Sequence, residues 1–286
     1  MKNDISLIIR NAMPTMSKSQ KKIADVILKN YDKVAYMTAT KLAAIAEISE
    51  STVVRFAIEL GYNGYPDFQR ALQELARTNL TPNQRIALTN LRIGDSDVLD
   101  KLMTSDMEKI KHTLENIDKE SFGKAVEAIT EARMIYIIGA RSSHSIAQFL
   151  AHNLMMIFDN VKFIQESSES EIFEQAISIG EKDVLFAVSF PRYSTRVIHA
   201  VNFAHSRKAR VVALTDSPAS PIAEDADFLL TAQSDMAAYV DSLVAPLSLV
   251  NALIVSITRK KQDEIKERFD SLECIWDDYN VYAKKK

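Results

Sequence analysis

Cysteine occurs once in the 286 residues, at Cys274, so neither an internal disulfide framework nor a Cys-rich zinc module is available. That usage fits a reducing cytoplasm. Six glycines and seven prolines are too few for collagen-like or low-complexity sequence. Long apolar runs are missing too. The stretch Leu243 to Ile257 is broken by Pro246, Ser248, Asn251 and Ser256. It falls short of the ~20 residues that span a bilayer and reads as a buried helix, so no membrane partner is expected. Met1 to Arg10 has no apolar stretch followed by a small-residue cleavage site, which argues against a secretory signal. Neither a P-loop nor G-x-G-x-x-G occurs, since Arg141 stands where the second Gly would be. That argues against dinucleotide or ATP chemistry, and no cofactor is expected.

Hydrophobic residues make up 47% and charged residues 26%, enough to bury real cores in one large or two ordinary domains. The net charge of −3 hides an asymmetry. Residues 1–77 hold 11 Lys+Arg against 8 Asp+Glu, a balance of +3, and the remainder holds 24 against 30, a balance of −6. A basic head on an acidic body places any polyanion partner on the head.

Residues 1–77 read as helices with short joints. Ser17-Lys-Ser-Gln20 is a capping box, and the helix it opens carries Ile23, Ala24, Ile27 and Leu28. A second helix covers Thr38 to Ala46. A third starts after Ser49 and stops before Gly61, and Tyr65-Pro66 opens a fourth with Phe68, Leu72 and Leu75 buried. Between the second and third, Glu47-Ile48-Ser49 forms a tight turn where the generic helix-turn-helix motif favours Gly at position 47. Ala43 permits close crossing, Ile48 plugs the turn, and Val53, Phe56 and Leu60 face the core. The opposite face presents Ser51, Thr52, Val54 and Arg55, the donors and methyl groups a recognition helix needs. Lys18, Lys41 and Tyr65 flank it as phosphate contacts. A plain helical bundle that binds protein, or nothing, uses the same amphipathic spacing.

Thr81-Pro-Asn83 and Gly94-Asp-Ser96 read as breaker clusters, so 78–97 is expected to be a linker. Two helices follow, over Val98 to Ile117 and Lys119 to Glu131. From Met134 strands alternate with helices: Met134–Ile138, Val161–Ile164, Val184–Val188, Val211–Leu214 and Phe228–Leu230. Runs apolar on both faces and separated by helices predict a parallel sheet covered on both sides. Long helices from about Tyr239 close this domain, 98–286.

Polar loops leave these strands and open helices: Gly139-Ala-Arg-Ser-Ser143, Ser189-Phe-Pro-Arg-Tyr-Ser-Thr195 and Thr215-Asp-Ser-Pro218. Ligands of open α/β sheets collect at the carboxyl ends of strands, and helix N-termini hold anions. Ser142, Ser143, Ser189 and Ser194 therefore suit a phosphate ester, with Arg141 and Arg192 adding charge; Ser and Thr also cap helices without any ligand. The histidines at 112, 144, 152, 199 and 205 show no metal-binding spacing, and Cys274 near Trp276 reads as structural.

Taken together, the chain resembles the RpiR family of bacterial transcription regulators, which join a helix-turn-helix domain to a sugar isomerase (SIS) domain. The likeness rests on Ser17 to Asp25, Ile48-Ser-Glu-Ser-Thr-Val-Val-Arg-Phe56, Leu60-Gly-Tyr62 and Tyr65-Pro-Asp-Phe-Gln69 in the head. In the body it rests on Ile135 to Ala140 with Ser142-Ser143, on Ser189 to Ser194, and on Leu214 to Pro218 with Ser220-Pro221. It implies an all-α helix-turn-helix domain followed by an α/β three-layer SIS domain. It also implies a cytoplasmic homodimer or homotetramer that binds duplex operator DNA under control of a phosphosugar or sugar acid. On this reading Ser142, Ser143, Ser189, Arg192 and Ser194 are the effector site, no residue is catalytic, and the dimer contact involves the helices after Tyr239, with the linker helices also used in the family. Arg141 and Arg192 depart from the Gly that SIS domains often carry there. Isomerisation is the alternative. Related isomerases often carry an acid where Arg196 stands, leaving Glu166, Glu169 and Glu171 as substitute bases.

Overall fold

Ser17 accepts from the Gln20 amide at 3.3 Å, while the Gln20 side-chain oxygen accepts from the Ser17 amide at 2.7 Å. This closed pair starts the long helix α2 (Lys18–Val34) of the first of two compact units, Met1–Ser96. The computed structural model describes residues 5–79, 81–93, 97–165, 168–235 and 239–282. The second unit comprises Asp97–Asp235 and Asp241–Lys286.

In the first unit α1 (Ile5–Ala12) and a 3-10 turn (Met13–Thr15) lead to α2. Then follow α3 (Ala39–Ala46), α4 (Glu50–Glu59), α5 (Tyr65–Asn79) and α6 (Pro82–Ile93). Ile23, Ile27, Leu42, Val53, Phe56, Phe68 and Leu72 fill one core, with Phe68 meeting Phe56 and Tyr62 edge-on. Leu60 and Ile48 pack against this core part-buried, whereas Ile45 is exposed. α6 occupies the segment expected as a linker. The reason lies in Thr81: its hydroxyl accepts from the Gln84 amide at 3.4 Å, and Gln84 Oε1 accepts from the Thr81 amide at 2.9 Å. The supposed breaker is a capping box with Pro82 at the first helical position, where its missing N–H costs nothing. The second supposed breaker, residues 94–96, lies outside the described residues.

The second unit opens with α7 (Val98–Asn116) and α8 (Lys119–Glu131). Five parallel strands then alternate with helices: β1 (Ile135–Gly139), α9 (Ser142–Ile157), β2 (Val161–Phe163), α10 (Glu169–Ala176), β3 (Val184–Val188), α11 (Thr195–Ser206), β4 (Arg210–Thr215) and β5 (Phe228–Thr231). α12 (Val244–Lys260) and α13 (Gln262–Asp278) follow. Strand order is β2-β1-β3-β4-β5. Alternating side chains send Ile135, Ile137, Val184, Phe186 and Val188 into one core, and Tyr136, Ile138, Leu185 and Ala187 into the other. Both sheet faces are covered, as the unbroken apolar runs predict. At the amino ends of the strands Arg133 grips the fully buried Asp183 through two bonds, of 2.8 and 2.6 Å, and the Gly180 amide adds a third at 2.8 Å. That pair therefore braces the edge opposite the polar loops.

Candidate functional site

The turn between α3 and α4 is made by Glu47, whose φ of 53° lies in the left-handed region that favours Gly. Its carboxylate pairs with Lys22 at 3.3 Å, exposed on both sides. Beyond the turn, α4 buries Val53, Phe56 and Ala57 and turns Ser51 and Arg55 to solvent. Arg55 makes no hydrogen bond or ion pair among the described residues. Thr52 is half-buried, and Val54 lies partly against the core. Ser49 Oγ lies 2.9 Å from Ser51 Oγ and 2.8 Å from Thr52 Oγ1 instead of capping the helix. Lys18 and Lys41 are exposed on α2 and α3. Helical spacing adds Ile58, 55% exposed, one turn beyond Arg55 on the same face. Sequence reasoning missed it, because an isoleucine in an amphipathic helix reads as core.

Tyr65 is a correction. It is 5% exposed, and its hydroxyl donates to the Met37 carbonyl at 2.8 Å, beside the Gln69 amide at 2.7 Å. Burial pushes the phenol up to about 12. The ring staples α5 to the turn before α3 and does not reach a phosphate at the flank.

In the second unit β1 and β3 are neighbours, while β2 lies outside β1 and β4 outside β3. The winding direction reverses between β1 and β3, the switch point at whose carboxyl ends open α/β sheets place a ligand crevice. Gly139 pairs with Val188 and Val188 with Leu214, so three loops leave the sheet at one level. A Cβ on Gly139 would stand 2.6 Å from the Ser143 carbonyl oxygen and 2.8 Å from Ala147 Cβ, so glycine lets α9 start hard against the strand.

The polar side chains converge on this edge. Ser143 and Ser189 are buried, at 4% and 2% exposure, Ser194 is half-buried and Ser142 is exposed. None of the four hydroxyls has a hydrogen-bond partner among the described residues. α9 begins after Arg141 and α11 after Ser194, and neither start is capped by a side chain. Both helices therefore present an N-terminal dipole with no side-chain acceptor of the protein's own on it. Arg141 and Arg192 are exposed and take φ of 58° and 44°. The second and third loops are tied together, since Asp216 accepts from Tyr193 Oη at 2.9 Å and from Thr215 Oγ1 at 3.2 Å. His144, in the first turn of α9, lies tilted against Phe163 with ring centroids 5.0 Å apart and keeps a buried Nδ1 without a partner among the described residues. Glu169 bonds His199, and Glu171 is exposed. Glu166 lies outside the described residues. Among the described residues no group of three or more metal-ligating side chains converges.

A family model described as the helix-turn-helix domain of the rpiR family matches residues 4–78, and the SIS domain model matches 128–256. The chain belongs to the RpiR family of transcriptional regulators. HexR of Escherichia coli is 26% identical over 273 residues, covering 91% of this chain and 89% of HexR. An HTH-type transcriptional regulator of Haemophilus influenzae is 29% identical over 218 residues, covering 76% of this chain and 75% of its own. Among solved structures, the Vibrio vulnificus NanR protein complexed with ManNAc-6P is 27% identical, with a TM-score of 0.61, over 98% of this chain and all of that one. The sugar isomerase domain of an RpiR transcription factor from Sphaerobacter thermophilus is 26% identical, with a TM-score of 0.58, over 60% of this chain and 96% of that one. A sugar-phosphate isomerase fold from Listeria monocytogenes, at 19% identity and a TM-score of 0.51, shares the SIS fold. This RpiR-family chain is thus a DNA-binding regulator built on a SIS body. Among its described residues no helix is long and apolar enough to cross a membrane.

Proposed function

We propose that this regulator acts in the cytoplasm as a homo-oligomer, reads duplex operator DNA with α4, and is controlled by a hexose phosphate in the crevice between β1 and β3. In the head, Ser51 and Arg55 meet base edges, Thr52 and Val54 border them, and Lys18 and Lys41 hold the phosphate backbone.

One observation carries the effector reading. Four serines, whose hydroxyls have no hydrogen-bond partner among the described residues, lie at or just before two helix starts that no side chain caps, at the carboxyl edge of the sheet's switch point. Backbone N–H groups, helix dipoles and hydroxyls are what a phosphate dianion requires. Ser142, Ser143, Ser189 and Ser194 bind it, and Arg192 adds charge. The ligand in the NanR complex supports a phosphorylated amino sugar or a near relative.

Thermal-shift titration with a panel of hexose and hexosamine 6-phosphates, ManNAc-6P included, tests this against inorganic phosphate. At least one sugar phosphate raises Tm, and a Ser142→Ala/Ser189→Ala variant loses that shift. Equal stabilisation of variant and parent removes the crevice from the account.

We assign no isomerase activity to the chain. Proton abstraction beside a sugar carbonyl needs a base within hydrogen-bond reach of the substrate. At the start of α11 stands Arg196, and Glu169 is engaged with His199. Incubation with aldose and ketose 6-phosphates should give no interconversion; turnover would restore the enzymatic reading.

A further inference from the structure

α1 carries two rows of side chains along one side. Ile5 and Ile9, four residues apart, turn inward and are buried. Ser6 and Arg10, also four apart, run beside them. α2 supplies Ile27, Leu28 and Tyr31, and α5 supplies Leu72 and Leu75. These three helices do not close on one another. Between them lies a cavity of about 130 Å³.

The cavity lies beside an irregularity in α2. At Asn30 the helix breaks, with a φ of −140° and a ψ of 37°. The Asn30 side-chain Nδ2 donates to the Val26 carbonyl at 3.4 Å, the acceptor that the Asn30 amide would use in an unbroken helix. A side chain inserted into the ladder is a known cause of such breaks. Tyr31 follows the break directly and lines the cavity.

The lining selects the occupant. Walls of isoleucine and leucine give water no partners, and an apolar cavity of roughly 150 Å³ stays dry and takes up benzene. The space here suits a single ring or a branched alkyl group. Arg10 is the exposed residue of the lining and so marks the mouth. Neither its guanidinium nor the Tyr31 hydroxyl has a partner among the described residues. No acidic residue lines the cavity. A cation and a hydroxyl donor at the rim of an apolar pocket fit a carboxylate carried on an apolar body.

We propose that the cavity between α1, α2 and α5 binds a small apolar monocarboxylate, its body against the six aliphatic side chains and its carboxylate on Arg10 and Tyr31. The site belongs to the DNA-reading unit and does not depend on the sugar crevice. Its walls bear on α3. Gln73, between Leu72 and Leu75 in the chain, donates to the Ala35 carbonyl at 3.0 Å, and Gln69 donates to the Met37 carbonyl at 2.7 Å. An occupant that braces α2 against α5 thus steadies the turn from which α3 departs.

Benzoate is the probe, with benzyl alcohol as its neutral counterpart and acetate as a carboxylate without the body. Ligand-observed NMR titration of the full chain should give saturable benzoate binding with a Kd of about 1 mM or below, and none for acetate. Arg10→Gln should weaken benzoate about fivefold, the worth of one exposed ion pair, and leave benzyl alcohol unchanged. Leu28→Phe and Leu75→Phe each place a ring in the cavity. Both should abolish binding of the two aromatic probes while Tm holds or rises, which separates a filled site from a lost fold. A parent without saturable benzoate binding, benzoate binding retained by both filled variants, or an Arg10→Gln change that leaves benzoate untouched overturns the proposal.

Discussion

Glu47, Arg141 and Arg192 share the sign of one backbone angle. Each has a positive φ, at 53°, 58° and 44°, and each stands where sequence comparison with the motif or the SIS domain led one to expect glycine. A side chain held at such a positive φ costs roughly 1–3 kcal/mol per position. At Glu47 the added group gains only an exposed ion pair, which contributes little. Glu47→Gly should therefore stabilise the first unit by about 1 kcal/mol, read as a raised Tm. Arg141→Gly and Arg192→Gly should likewise stabilise the second unit. Each should also weaken binding of a phosphorylated sugar about tenfold, the worth of a charge-assisted contact. Sugar affinity unchanged by both would deny the arginines a role at the crevice. Tyr65 makes the opposite point: Tyr-Pro at a helix start looks polar, and its burial depends on residues 28 positions away. Tyr65→Phe should cost about 0.5–1.5 kcal/mol. The folded phenol titrates near 12 instead of 10, so between these values the unfolded chain loses a proton that the folded chain keeps. Stability must then fall as pH rises from 10 to 12. Equilibrium unfolding across that window should show a shallower fall for Tyr65→Phe.

Elements were legible where their causes are local. The Ser17 capping box, the α4 stripe and the apolar strands each declare themselves within a few residues. The Thr81-Pro82-Asn83 run did not, because residues that stop one helix are also those that start the next, and only the Gln84 bond distinguishes the two. The serines of the polar loops after β1 and β3 were legible as types and positions. That they converge was not, since strand order β2-β1-β3 is a non-local fact. The contact between β1 and α9 is similarly hidden until Gly139 is seen against Ser143 and Ala147. Gly139→Ala should force α9 away from the strand and lower stability by about 1–3 kcal/mol. It should also abolish the proposed sugar-phosphate binding while leaving operator affinity intact. A variant that binds the sugar normally would show that the close start of α9 is dispensable.

At the scale of the whole molecule, DNA reading and ligand sensing reside in separately packed units, each with its own core. A ligand in the crevice can change operator affinity only by binding two arrangements of the assembly unequally, and the effect must be reciprocal. The head's share is tested by Arg55→Ala, which should cost about 1–3 kcal/mol of operator binding if Arg55 reads a base pair. Unchanged affinity would remove it from the interface. The central claim is the coupling itself. Operator duplex selected from genomic fragments by the full chain should be titrated by fluorescence anisotropy at fixed salt, with and without each sugar phosphate that raises Tm. The account predicts that one of them changes the operator Kd by about fivefold or more, and that Ser142→Ala/Ser189→Ala erases the change. An operator Kd that no stabilising sugar phosphate alters would contradict it.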